Sequence, residues 1–220
     1  MRCRGYVASC LFAVALSSSI LRAQQSSKQP QVPSKSSANA KAGTLDTGTV
    51  SGDAYRNNSL GFTYKIPFGW VDRTKEMSED PSSDSTAPKK SSLLLATFER
   101  PPEATGDSVN SAVVIAAEAA SSYPGLRTAE QYFDPLTAVA KSKGLAVVNE
   151  PYEFQAGTTQ LVRGDFSKPL GNLTMHQSTL AMIEKGYVIS FTFIGGTEDE
   201  VDDLLEGLKF GSKEAPTAQK

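Results

Sequence analysis

The segment that decides the fold is Tyr55-Arg56-Asn57-Asn58-Ser59-Leu60-Gly61-Phe62-Thr63-Tyr64-Lys65-Ile66-Pro67-Phe68-Gly69-Trp70. From position 62 onward, large apolar and polar side chains alternate, which is the pattern of a β-strand with one buried face. Pro67 cannot donate a backbone hydrogen bond to a neighbouring strand, and Gly69 favours a turn. The segment therefore predicts a strand over residues 61–67 and a turn that brings Trp70 to the core.

Strand patterns continue through the rest of the chain. Apolar or alternating runs of strand length cover residues 93–98, 112–117, 145–154, 158–166, 173–183 and 187–194. Gly157, Gly171 and Gly186 interrupt the last four of these runs at short intervals. Because short turns connect antiparallel neighbours, we expect these four strands to form an antiparallel meander.

Two segments have helical patterns. Residues 128–143 begin with Thr128 and Gln131 at the spacing of a capping box, although Pro135 also permits a start with Asp134 as the N-cap. A second capping-box spacing begins at Thr197 and precedes apolar residues on one helix face, at positions 201, 204, 205 and 208. Several strands combined with two helices predict an α+β domain whose helices cover an antiparallel sheet.

The opening segment also resembles the start of PsbP-like and Mog-type proteins, in which an N-x-x-hydrophobic-G-F run leads through a strand to P-x-G-W. The later order of strands and helices fits the same superfamily. The resemblance implies an α/β/α sandwich with a central antiparallel β-sheet of about six strands and two main helices. It further implies accessory rather than catalytic work, since members include extrinsic proteins of the photosynthetic oxygen-evolving complex, a Ran-GTPase-binding factor and bacterial exported proteins.

The first residues predict export to the periplasm or the cell exterior. Arg2 and Arg4 precede a short apolar run, and Ala23 offers a small residue for cleavage, so residues 1–23 have the pattern of a signal peptide. An uncleaved anchor and lipidation at Cys10 are the alternatives. Because both cysteines lie in this leader, cleavage would leave a chain without disulfides or thiol chemistry, and its formal charge would change from −2 to about −5.

Composition divides the remaining chain into a linker, a domain and a tail. Residues 24–53 are polar, without an aromatic side chain, and we expect them to be a disordered linker. Residues 54–211 form the expected domain, and residues 76–92, rich in serine and proline, are expected to be a mobile loop within it. Residues 212–220 are expected to be a flexible tail.

The sequence offers few candidates for chemistry. His176 is the sole histidine, and a lone histidine does not make a typical zinc site. Gly195-Gly196 precedes a helix, but the acidic residues that follow would repel a phosphate there. Those acidic residues lack the spacing of an EF-hand and match the polar face of a helix, at Glu198, Asp199, Glu200, Asp202, Asp203 and Glu206. We therefore predict no catalytic, cofactor-binding or metal-binding residues.

These observations favour one function and leave an alternative. We expect an exported, non-catalytic accessory or protein-binding module whose sheet surface or 76–92 loop contacts another extracytoplasmic protein. The alternative is a small-molecule or lipid carrier with a pocket between sheet and helix. Near-neutral charge without a Lys/Arg block argues against nucleic-acid binding, and we expect a membrane contact only through an uncleaved signal anchor. The partner-binding residues and the oligomeric state are left open at this point.

Overall fold

Two antiparallel sheets and three α-helices make up the part of the chain that the computed structural model describes, residues 45–78 and 91–211. The helices are α1 Thr74–Ser78, α2 Ala129–Ser142 and α3 Glu198–Glu206. The strands are β1 Thr49–Ser51, β2 Ala54–Asn57, β3 Phe62–Lys65, β4 Val71–Asp72, β5 Ser91–Phe98, β6 Ala112–Ala119, β7 Ala146–Ala156, β8 Thr159–Leu170, β9 Leu173–Glu184, β10 Tyr187–Gly195 and β11 Leu208–Phe210.

The larger sheet has seven strands in the order β4-β5-β6-β10-β9-β8-β7. Strands β7 to β10 form the antiparallel meander that the turn glycines predicted, with Gly157, Gly171 and Gly186 all at positive φ. The predicted α+β class with a central antiparallel sheet is confirmed. The strand count is seven rather than about six because β4, two residues long, pairs with the outer edge of β5.

The smaller sheet has four strands in the order β1-β2-β3-β11 and was not expected from the sequence. Strand β3 is the strand that the opening segment predicted, and Phe62 and Tyr64 on it are fully buried. Phe62 contacts Phe191 of the larger sheet edge-to-face, with ring centroids 4.9 Å apart. The small sheet therefore packs against one face of the larger one.

Different elements pack against the two faces of the larger sheet. Val188 clusters with Tyr132 and Phe133 of α2, whereas its neighbour Ile189 belongs to the main core with the small sheet and α3. Side chains alternate between the faces of a strand, so α2 lies on one face while α3 and the small sheet lie on the other. Contact with α2 is close enough that a Cβ on Gly164 would lie 2.6 Å from the Phe133 ring.

Three boundaries differ from the sequence expectations. Residues 24–53 were expected to be a disordered linker, but Thr49–Ser51 within that range form β1 because they pair with β2. The expected loop at 76–92 instead begins inside helix α1 and ends inside strand β5. Leu208, expected on the face of the last helix, lies in β11, because the helix ends at Glu206 with Gly207 as its C-cap.

Helix α2 begins as the capping-box spacing predicted. Thr128 is the N-cap, and the Gln131 side chain accepts hydrogen bonds from the backbone N–H groups of Arg127 at 2.8 Å and Thr128 at 3.3 Å. Pro135 lies inside the helix, so the alternative start at Asp134 is wrong. Buried Phe133 anchors the first part of the helix to the sheet, which compensates for the backbone hydrogen bond that proline cannot donate.

Several sequence predictions lie outside the described residues. These are the signal peptide at 1–23, the linker up to residue 44, the tail at 212–220 and positions 79–90 of the expected loop. None of the helices in residues 45–78 and 91–211 has the length and apolarity needed to span a membrane.

Candidate functional site

A buried ion pair lies on β8, on the face of the larger sheet that carries α3. Arg163 and Asp165 are two positions apart, so both side chains point to the same face. The Arg163 Nε donates to Asp165 Oδ1 at 2.8 Å, and their side chains are only 15% and 11% exposed. Burying two charges is costly unless their hydrogen bonds are satisfied, so their remaining partners define the site.

Asp165 has hydrogen-bond partners on both carboxylate oxygens. Oδ1 also accepts from the Ser178 hydroxyl on the neighbouring strand β9. Oδ2 accepts from Asn149 Nδ2 at 3.1 Å and from the Tyr152 hydroxyl at 3.2 Å. The carboxylate is thus held in place from β7, β8 and β9 together.

Irregular pairing of β7 makes this arrangement possible. Asn149 and Tyr152 are three positions apart and would face opposite sides of a regular strand. The register of β7 against β8 shifts between Val147 and Asn149 and again between Asn149 and Tyr152. Bulges of this kind re-aim side chains, and here they bring the amide and the phenol to the same carboxylate.

The pKa of Asp165 reflects this environment. Burial alone would raise the pKa of the carboxyl, but hydrogen bonds from Ser178, Arg163 and Asn149, together with the charge of Arg163, outweigh burial and lower it. Burial and the adjacent Asp165 charge raise the pKa of Tyr152. Asp165 is therefore a stable carboxylate and Tyr152 a stable neutral hydroxyl, a pairing suited to holding shape and charge rather than to exchanging protons near neutral pH.

Arg163 links the sheet to α3. Its Nη2 donates to Asp202 Oδ1 at 2.8 Å and to the Ser178 hydroxyl at 3.0 Å, and the guanidinium lies 5.6 Å from the centroid of the Phe154 ring. Burial would lower the pKa of Arg163, but the bonds to Asp165 and Asp202 more than reverse that effect and raise it. One permanently charged side chain thus fixes the position of the acidic helix above the strands.

Between α3 and strands β7 to β9 lies a concave site of about 260 Å³, which we name the Asp165 groove. His176 lies at its end, where its Nδ1 is 3.6 Å from Glu198 Oε1, too long for a hydrogen bond. Val148 and Tyr152 are 45% and 40% exposed. The groove is lined by Val148, Asn149, Tyr152, Arg163, Asp165, Phe166, His176, Gln177, Ser178, Glu198, Val201 and Asp202.

The structure places the residues that the sequence singled out in different settings. His176 and the acidic residues Glu198 and Asp202 come together in the groove. The Gly195-Gly196 turn is closed instead, because the Glu200 carboxylate accepts from the Gly196 N–H at 2.8 Å and from the buried Ser111 hydroxyl. Glu200 thus occupies the backbone donor that a phosphate would need.

Trp70 is partly buried and packs against the main core, as expected for an anchor of the turn after β3. Its neighbour Phe68 is fully exposed. Near this turn, a second concave site of about 340 Å³ lies between β3 and α3. Its lining residues are Tyr64, Lys65, Pro67, Asp203, Leu204, Glu206 and Gly207.

Sequence reasoning missed the centre of the groove. Arg163 and Asp165 alternate with apolar residues on a predicted strand, which is also the pattern of an ordinary solvent-facing edge. The one sequence feature that could have indicated an ion pair is the spacing of Arg163 and Asp165, since opposite charges two positions apart lie on the same face of a strand. In the described ranges, no group of three or more His, Cys, Asp and Glu side chains is arranged to hold a metal ion.

Comparison with known proteins gives structural similarity alone. No family model matches the chain, and neither does any curated protein. Cyanobacterial PsbP from Synechocystis sp. PCC 6803 is similar over 76% of this chain and 98% of that one, at 15% identity and a TM-score of 0.45.

Two further solved structures are similar over smaller parts. LpqN, involved in cell envelope biogenesis of Mycobacterium tuberculosis, matches 65% of this chain and 91% of that one, at 12% identity and a TM-score of 0.35. A protein of unknown function from Pseudomonas aeruginosa matches 46% of this chain and 68% of that one, at 14% identity and a TM-score of 0.34. Likeness at this level assigns no activity to the chain.

Proposed function

We propose that this chain is an exported, non-catalytic protein-binding module that contacts its partner through the Asp165 groove and the adjacent edge strand β7. The observation that carries the proposal is the exposure of Val148 and Tyr152 beside a largely buried, hydrogen-bonded charge pair. Exposed apolar side chains next to ordered polar groups are typical of a binding surface. Export rests on the signal-peptide pattern of residues 1–23.

The bonding of Asp165 favours binding over catalysis. A general base must accept a proton from a substrate, whereas both oxygens of Asp165 already accept hydrogen bonds from protein donors. The approach of His176 to Glu198 is the arrangement closest to an acid–base pair in the groove, and at 3.6 Å it is not hydrogen-bonded. The groove therefore supports recognition better than proton transfer.

Site-specific photo-crosslinking in the native host tests this proposal. A benzophenone amino acid at Val148 should form an adduct with a discrete extracytoplasmic protein. The same group at Lys141, exposed on α2 and on the opposite face of the sheet, serves as the matched control and should form none. Absence of an adduct at Val148, or equal adducts at both positions, would contradict the proposal.

The carrier alternative rests on the same cavity between sheet and helix. At about 260 Å³, the groove is smaller than the roughly 300–1,000 Å³ typical of small-molecule sites. Its lining is mostly polar or charged, which suits a small polar ligand better than a lipid. Native mass spectrometry of the purified chain decides: a stoichiometric small molecule that is lost on Arg163→Ala favours a carrier, and an unliganded mass favours the binding module.

A further inference from the structure

We propose that the Asp165 groove receives a cationic side chain, an arginine or a lysine, from a basic segment of the partner protein. This inference rests on the proposed binding function and adds the chemistry of the partner. It starts from the charges that line the groove and from those on helix α3.

The charge balance inside the groove is negative. Asp165, Glu198 and Asp202 contribute three carboxylates, and Arg163 contributes one compensating guanidinium. That guanidinium is shared between Asp165 and Asp202 and is already committed to both. Glu198 and Asp202 remain 72% and 59% exposed, so their charges face solvent, where a partner can reach them.

Helix α3 adds to this field, because it has six acidic residues in nine positions and neither lysine nor arginine. A cleft bordered by charges of one sign concentrates ligands of the opposite sign. Electrostatic complementarity therefore selects a basic partner over an acidic or a neutral one.

The exposed apolar side chains on β7 indicate how the groove would hold a cationic side chain. Val148 and the ring of Tyr152 stand exposed beside the carboxylates. Arginine and lysine have apolar stems that pack on such surfaces while the charged end reaches a carboxylate. A guanidinium or ammonium near the Tyr152 ring would also gain a cation–π contact.

The shape of β7 argues for recognition of a side chain and not of a backbone. An edge strand can bind a peptide as an added strand when its outward hydrogen-bonding groups are regular. Here Pro151 and two register shifts interrupt β7 at the groove. Because this interruption prevents a continuous row of backbone hydrogen bonds to an added strand, we expect the side chain that enters the groove to determine which partner binds.

A matched pair of peptides tests the charge directly. The first is a seven-residue peptide with one arginine flanked by leucines, and the second has neutral, nearly isosteric citrulline in place of the arginine. Two natural reporters make the readout local: His176 is the sole histidine and lies in the groove, whereas Trp70, the sole tryptophan, packs against the main core outside the groove. Both are followed by NMR on the full chain at constant pH.

We expect the arginine peptide to shift the His176 ring resonances in a saturable way and to leave the Trp70 indole resonance unchanged. The citrulline peptide should bind about tenfold more weakly, as the loss of two exposed ion pairs predicts. The double variant Glu198→Gln/Asp202→Asn should weaken arginine binding to a similar degree. Asp199→Asn removes the same kind of charge from the same helix outside the groove and is the control.

The outcomes separate this inference from the proposed function. Equal binding of both peptides, or no shift of His176 with either, overturns the cationic partner. If a Val148 adduct still forms in that case, the binding module stands and its partner uses different chemistry. The unchanged Trp70 resonance verifies that the double variant is folded, and the peptide comparison on the unaltered chain does not depend on any variant.

Discussion

Asp165 shows how a single carboxylate can couple stability to pH. Its pKa in the folded chain lies below the ordinary aspartate value of 3.8, whereas the same carboxyl in the unfolded chain titrates near that value. A group with a lowered folded pKa contributes stability above its unfolded pKa and loses it as pH falls toward the folded value. The contribution of Asp165 is therefore complete above about pH 4 and declines in more acidic solution.

Asp165→Asn should remove this contribution. At neutral pH we expect a loss of about 3 kcal/mol, because the change leaves the largely buried side chain of Arg163 without its main counter-charge. Between pH 5 and about pH 2 the variant should lose less additional stability than the unaltered chain, because it has one titrating group fewer. Urea unfolding at several pH values measures both effects, and exposed Asp199→Asn is the control. Parallel pH curves for the two variants would contradict the role given to Asp165.

Gly164 is required by close packing and not by backbone conformation. A Cβ there would lie 2.6 Å from Cε1 of Phe133, inside the distance that real contacts allow. Gly164→Ala should destabilise the chain by about 1–3 kcal/mol, since Phe133 on α2 must move away from β8. Gly211→Ala adds the same atom where nothing lies within 4 Å and should change the thermal midpoint little. Equal midpoints for the two variants would count against the packing of α2 on β8.

At the scale of elements, the N-terminus of α3 depends on two local bonds. Thr197 Oγ1 accepts from the Glu200 N–H at 3.1 Å, and the Glu200 side chain accepts from the Gly196 N–H at 2.8 Å. Thr197→Ala should cost about 1 kcal/mol of unfolding free energy because it removes the cap. Thr197→Ser keeps the accepting oxygen and should recover most of that loss in chemical denaturation. A serine variant as unstable as the alanine variant would exclude the capping bond as the cause.

The same scale shows what the sequence could predict. The long strands and both larger helices followed from local patterns: alternation set the strands, and capping spacing set the starts of α2 and α3. The four-stranded sheet escaped prediction because its strands β1 and β11 have three residues each, too few for an alternating pattern to appear in the sequence. Leu208 also continued the apolar spacing of α3, so its place in β11 depends on pairing with Tyr64 far away in sequence.

The Asp165 groove could not be predicted for a related reason. Asn149, Asp165 and Ser178 come from three strands, and their meeting depends on two irregularities in β7 that leave no clear trace in composition. His176 and the acidic helix were identified as candidates, yet their proximity comes from the packing of α3 on the sheet. Sequence indicated the residue types, and tertiary structure determined which of them share a site.

At the scale of the whole molecule, buried tyrosines determine the response to alkali. Burial raises the pKa of Tyr55 from 10.0 to about 12 and raises the pKa values of Tyr64, Tyr123 and Tyr132 further. Groups with raised folded pKa values contribute stability that is complete below their unfolded pKa and is lost as pH rises through the folded value. Stability should therefore fall from about pH 10 upward, because the unfolded chain releases these protons first.

Tyrosinate absorbance and circular dichroism together measure this effect. We expect the four tyrosines to ionise in one cooperative step that coincides with loss of the sheet signal. Tyr64→Phe should move that step to higher pH, because it removes one of the groups that ionise on unfolding. The buried Tyr64 hydroxyl has no hydrogen-bond partner in the structure, so its removal breaks no hydrogen bond. Ionisation of all tyrosines near pH 10 with the sheet intact would contradict their burial.

The pairing of β11 with β3 also has a kinetic consequence. Phe210 pairs with Phe62, so the last described strand completes a sheet whose other strands come from the first part of the domain. Contacts between residues so distant in sequence slow folding because a large loop must close before they form. A chain emerging from the ribosome cannot complete this sheet until residues 208–210 have been synthesised. The small sheet therefore forms only after this strand arrives.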